Sequence, residues 1–134
     1  MTVTINAVTS TGLVQTSDGS GVLKVQSNGV TTNALAWVNF AGASGTRNAS
    51  YNVSSVTRNS TGNYNINFAN PLTDANYSIS AVASTLSGIG LTITTVNDAN
   101  IGTAPTTSLF QITTRQISTA NVDPTFVYCA VFGN

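Results

Sequence analysis

The chain has 134 residues, zero net charge and only eight charged side chains, Lys24, Arg47, Arg58 and Arg115 against Asp18, Asp74, Asp98 and Asp123. With 41% apolar residues it can build a core, so the abundance of Thr (22), Asn (16) and Ser (15) does not signal a disordered polar tract. Four scattered cations leave no electrostatic footprint for nucleic acid, the absence of His beside a single Cys removes the usual zinc sites, and the scarcity of Glu, Lys, Arg and Met disfavours helix.

Taken in chain order, the first residues lack the basic and continuous apolar stretches of a signal peptide. Residues 1–33 are short apolar pieces broken by Ser17-Asp-Gly-Ser-Gly and Ser27-Asn-Gly. Asp-Gly and Asn-Gly between β-like runs are strong hairpin signals, so the segment reads as a small β-meander or attachment segment. Ala34 to Phe40 follows, with apolar residues on both faces. Asn59-Ser-Thr-Gly is a hairpin turn, and Asn63 to Phe68 alternates Tyr64, Ile66 and Phe68 against three Asn, as a strand with one wet face does. Pro71 ends that strand. Tyr77, Ile79, Ala81 and Ala83 repeat the alternation, and Leu91 and Ile93 alternate with Thr92 and Thr94. The stretch from Asp98 to Thr107 is the longest connection. Phe126 to Phe132 is again apolar on both faces, and at seven residues it falls far short of the roughly 20 that a membrane-crossing helix needs. The expected product is soluble and made in a cytoplasm.

A strand that is apolar on both faces must be covered on both. The two strands 34–40 and 126–132 are therefore either central strands of a sandwich or strands with one face closed by another subunit. The residues expected at such an interface are Leu35, Trp37, Phe40, Phe126, Tyr128 and Phe132. Loops 41–47 and 98–107 are expected to form one exposed binding set, carrying Ser44, Arg47, Asn97, Asp98 and Asn100.

Chemistry is sparse. Without His, a Ser-His-Asp or Cys-His arrangement is impossible. No two Asp lie close in sequence, and Asp18, Asp74 and Asp123 sit at turns, where the side chain commonly bonds nearby backbone N–H groups. A glycan-cleaving enzyme would have to use Asp74, Asp98 or Asp123, and no activity is expected of them. Asn97, Asp98 and Asn100 offer oxygens but too little carboxylate for a calcium site. Cys129, inside an apolar run, reads as a buried small hydrophobe. No catalytic residue, metal or cofactor is expected. A neutral surface of amides, hydroxyls and a few aromatic rings suits glycans, and it suits packing against other low-charge proteins equally well.

Three groups of residues carry a resemblance: Trp37-Val-Asn-Phe40 with Tyr51-Asn-Val-Ser-Ser-Val56; Gly62-Asn-Tyr64 leading to Phe68, with Asp74-Ala-Asn-Tyr77; and the lead-in Gly12 to Gly29, together with the final Val131-Phe-Gly-Asn134. The chain resembles a β-domain of tailed-bacteriophage tail fibres and other virion surface proteins. That resemblance implies a non-enzymatic structural protein, often trimeric, displayed on the virion. It also implies other virion proteins as partners and a host surface glycan as a possible ligand. Tail fibres usually carry a longer N-terminal portion than the 33 residues seen here, so a capsid decoration (cement or head-fibre) protein is the alternative. The expected architecture is all-β: an N-terminal β-meander (1–33), then an antiparallel β-sandwich (34–134), assembled as a homotrimer.

Overall fold

The computed structural model describes residues 25–27, 30–84, 92–96, 104–116 and 120–133. Most of the expected meander therefore lies outside the described residues. Its last part is a pair of two-residue strands, β1 (Gln26–Ser27) and β2 (Val30–Thr31), paired antiparallel. Asn33 accepts the Val25 N–H at 2.6 Å and holds this hairpin closed.

The remaining described strands are β3 (Ala36–Phe40), β4 (Arg47–Tyr51), β5 (Val53–Ser60), β6 (Asn63–Phe68), β7 (Ser78–Ala83), β8 (Thr92–Val96), β9 (Leu109–Gln116) and β10 (Val127–Phe132). Among the described residues there is no helix. The strands form two antiparallel four-stranded sheets. The first has the order β4-β3-β10-β7 and the second β5-β6-β9-β8. The two strands that are apolar on both faces, β3 and β10, are thus the central pair of the first sheet.

The sheets bury their facing sides in one shared core. Ala36, Val38 and Phe40 of β3 and Val127, Cys129 and Val131 of β10 meet Val53, Tyr64, Ile66, Phe68, Phe110 and Ile112 of the second sheet. Phe40 packs edge-on against Tyr64 across the layers, with ring centroids 5.0 Å apart. The expected alternation of β6 holds on this side, since Tyr64, Ile66 and Phe68 all point inward. Its other face is not uniformly wet. Asn63 is buried: its side-chain oxygen accepts N–H bonds from Asn59 (3.0 Å) and Gln111 (2.8 Å), while its Nδ2 is buried without a hydrogen-bond partner. The two accepted bonds offset part of the cost of burying this amide.

The chain passes from the first sheet to the second at Asn52, between β4 and β5. Its φ is +52°, a left-handed value that Asn tolerates better than most residues. The side chain fixes the corner by donating to Leu35 O and Asn70 O (3.2 Å each) and accepting from Asn70 N–H (2.8 Å).

A strap, residues 120–126, ties the two sheets together at one end. Val122 N–H donates to Thr114 O and Thr114 Oγ1 donates to Val122 O (2.6 Å), which binds the strap to β9. Gly42 N–H donates to Pro124 O, which binds it to the β3–β4 turn. Gly62, in the β5–β6 turn with φ +67°, has no room for a Cβ, which would lie 2.5 Å from Thr114 O.

Candidate functional site: the outer face of the first sheet and its far end

The side of the first sheet that faces away from the core carries the odd feature of the molecule. Trp37, Tyr128 and Phe132 are each about two-fifths exposed, at 40%, 42% and 41%, and Val82 is 62% exposed. Register places them together. Trp37 stands opposite Ala130 on β10, and Tyr128 stands between Asn39 on β3 and Val82 on β7. Residues directly opposite in an antiparallel sheet share a face, so the aromatic rings alternate diagonally across the central strand pair. Asn39, Ser78 and Ser80 fill the gaps. The outer face of a two-layer β-fold is normally polar, and an exposed aromatic cluster marks a contact surface.

Phe126, 40% exposed, extends this face at the strap end, 6.4 Å from the Tyr128 ring. Ser84 holds it in place: Phe126 N–H donates to Ser84 Oγ (2.9 Å), and Ser84 N–H donates to Phe126 O (2.9 Å). These bonds fix the backbone that carries the exposed ring.

Two of the residues expected at a subunit interface lie elsewhere. Leu35 and Phe40 are core residues, 1% and 0% exposed, and cannot present a surface to a partner. The alternation of β3 sends Phe40 inward with Ala36 and Val38, and only Trp37 and Asn39 face out. Leu35, just before the strand, is held at the core edge by its N–H bond to Val131 O (2.8 Å).

The described parts of the two expected binding loops lie at opposite ends. The β3–β4 turn lies at the strap end, where Arg47 pairs with Phe40 and Phe40 with Val127. The described part of the other loop, 104–107, lies at the opposite end, where Leu72 N–H donates to Thr107 O and Tyr77 OH donates to Thr106 O. The antiparallel run of β9 from Leu109 toward Gln116 enforces this separation. Asn97, Asp98 and Asn100 lie outside the described residues. Ser44 is exposed and bonds Thr46 Oγ1 at 2.8 Å. Arg47 is exposed, with Nη1 donating to Ser50 Oγ (3.3 Å) and to Val53 O.

Sequence reasoning left Asp123 as an ordinary turn residue, and it proves to be the centre of a polar lock. Arg58 grips its carboxylate with Nε (3.1 Å) and Nη2 (2.6 Å), while Gly62 N–H (2.9 Å) and Tyr64 OH (2.7 Å) donate to the same oxygen, Oδ1. Burial alone would raise its pKa, but these donors, with the Arg58 charge, hold the carboxyl below its ordinary range. Burial and the neighbouring carboxylate push Tyr64 upward, so its hydroxyl stays protonated. All four acceptor contacts come from the protein's own frame, and the lock binds strap to hairpin. No local sequence signal joins Arg58 to Asp123, 65 positions later. Asp74 caps its own turn by accepting Asn76 N–H (2.7 Å). Among the described residues no three Asp or Cys side chains group together as a metal site.

Comparison with known protein families, curated proteins and solved structures finds no match to this chain.

Proposed function

We propose that this chain is a non-enzymatic structural protein of a bacteriophage virion, a tail-fibre or receptor-binding component that contacts the host surface. In this reading the two sheets are a β-sandwich, residues 1–33 form the meander that attaches it to other virion proteins, and three copies assemble. The observation that carries the proposal is the aromatic outer face of the first sheet. Trp37, Tyr128 and Phe132 stand on the two central strands of a two-layer scaffold, and their cross-strand neighbours on that face, among the described residues, are uncharged. Support for a binding rather than a catalytic role comes from Asp123, whose carboxylate is fully engaged in holding the fold. The phage assignment rests on the sequence resemblance.

The test is to locate the protein on purified particles with a gold-labelled antibody under the electron microscope. Label at tail or fibre tips is the expected result. Label spread over the head would replace this reading with capsid decoration, and particles without label would overturn it.

A further inference from the structure

The outer face of the first sheet has two unlike halves. Its strand order is β4-β3-β10-β7. On the β4–β3 half, Tyr51 stands opposite Trp37 and Ala49 opposite Asn39. On the β10–β7 half, Ala130 stands opposite Ser80 and Tyr128 opposite Val82. Trp37 is in turn opposite Ala130. A large indole therefore stands beside two small side chains, and the face sinks where Ala130 and Ser80 lie. The result is a groove of about 360 Å³ whose lining includes Trp37, Asn39, Ser80, Val82, Tyr128 and Ala130. Ligand pockets begin at about 300 Å³, so the groove has room for one large aromatic side chain.

Each half also has apolar surface left to bury. Trp37 is two-fifths exposed on one side, and Val82, on the other, is the most exposed large apolar residue among those described. None of the residues just placed on this face is charged. A charged partner would find no counter-charge there, whereas a second copy meets no repulsion. Three copies around one axis give every face two neighbours. Such a contact is head-to-tail, one patch against a different patch, whereas a two-fold pair sets the same patch against itself. A face with a knob on one half and a groove on the other has both parts that a closed head-to-tail ring needs.

We infer that Trp37 of one copy seats in the groove of the next, on Ala130 and Ser80, so that the contact between copies is head-to-tail. The ring closes after three such contacts, and its axis runs along the strands. Residues at one level of the sheet then meet residues at the same level of the neighbour: Trp37 meets the next copy's Ala130 and Ser80, and Asn39 meets the next copy's Val82. The inference rests on the reading that three copies assemble through this face, and it names which parts of the face touch.

The experiment uses the full chain carrying Asn39→Cys and Val82→Cys together, oxidised with glutathione disulfide and run on a non-reducing gel. Within one copy these two positions flank Tyr128 on opposite sides, two interstrand spacings or about 10 Å apart, beyond the reach of a disulfide. A link between them has to join two copies. Cys129 is buried and stays out of the exchange. The expected result is a band at three chain masses from the double variant and at one chain mass from either single variant. Covalent dimers alone from the double variant, or a linked dimer from a single variant, would show a two-fold contact and overturn the inference. Ser80→Asp gives a second readout, because Ser80 is exposed and lies outside the core. A short charge in the groove is expected to weaken assembly about tenfold or more by light scattering, with an unchanged β-sheet circular dichroism spectrum. Unchanged assembly of Ser80→Asp would also overturn the inference. A double variant that scatters as three copies yet does not link removes this inference and leaves the three-copy reading intact, whereas a wild-type chain that scatters as one copy at about 100 μM removes both.

Discussion

Tyr64 has no exposed surface, yet its hydroxyl must find a partner, and Asp123 supplies it at 2.7 Å. Tyr64→Phe removes that bond while keeping the ring against Phe40, so an expected loss of about 1 kcal/mol should appear as a lower urea midpoint. Asp123→Ala strands both Tyr64 OH and Gly62 N–H at the strap and is expected to cost more, about 2–3 kcal/mol. The pH dependence follows from the direction of the Asp123 shift. Its carboxyl sits below the unfolded value of about 3.9, so the stabilisation it provides is present above pH 4 and is lost as pH falls through the folded value. Asp123→Asn should flatten the acid limb of the stability curve. The alkaline limb has the opposite cause. Burial pushes Tyr77 up to about 12 and the Cys129 thiol up to about 12, while their unfolded values lie near 10 and 8.5. Stability should therefore fall from about pH 9 upward, as the unfolded chain gives up protons that the folded chain keeps. Cys129→Ser should remove the first part of that fall. Asn52→Ala is expected to cost about 2–4 kcal/mol, since it loses three hydrogen bonds and leaves a β-carbon residue with φ +52°. Asn52→Gly should recover the strain and leave the bonds lost, and the difference between the two urea midpoints measures each share.

At the scale of elements, the strap decides how the two sheets stay in register. It runs under two turns whose glycines leave it room: a Cβ at Gly42 would lie 2.2 Å from Pro124 O, and one at Gly62 would lie 2.8 Å from Val122 O. Gly62→Ala should lift the strap from β9, at a cost of about 2 kcal/mol or more because φ is also positive there. Hydrogen exchange should show it locally. The Val122 amide, which donates to Thr114 O, should lose protection, while the Leu35 amide at the far end should keep it. The strands themselves were legible in the sequence, because period-two alternation is local: β6 and β7 read off directly, and Asn59 to Gly62 announced its turn. The strap was not. Asn121-Val-Asp-Pro carries no periodicity, and two of its partners, Arg58 and Gly62, lie 65 and 61 positions from Asp123. The exchange of sheets at Asn52 was equally hidden, since a single Asn between two strands of one polar texture looks like the middle of a strand. Loops 41–47 and 98–107 were expected together for a related reason. Composition marks a loop, and only the antiparallel register says at which end of the molecule it falls.

At the scale of the whole molecule, the unresolved demand is the outer face of the first sheet. Strands apolar on both faces were visible in the sequence, and the choice between a central position and a covered face was open. The central position is met by β3 and β10, yet their outward rings remain exposed. Leaving Trp37, Tyr128 and Phe132 in water forfeits roughly 1–2 kcal/mol of burial for each half-exposed ring at about 25 cal/mol per Å². Burying all three against other copies offers several kcal/mol per contact surface, enough to offset much of the lost translational and rotational freedom. The low net charge of the chain adds no repulsion between copies. Trp37 is the lone tryptophan, so its emission reports that face directly. Dilution from about 100 μM to below 1 μM should shift the emission to longer wavelength as Trp37 meets water, while light scattering falls from three times the chain mass to one. Replacing Trp37 and Tyr128 together by Ser should give a monomer at every concentration with an unchanged β-sheet circular dichroism spectrum, because neither side chain belongs to the core. A wild-type chain that stays monomeric at about 100 μM would sink self-assembly through this face. A trimer that survives the double substitution would place the contact on another surface.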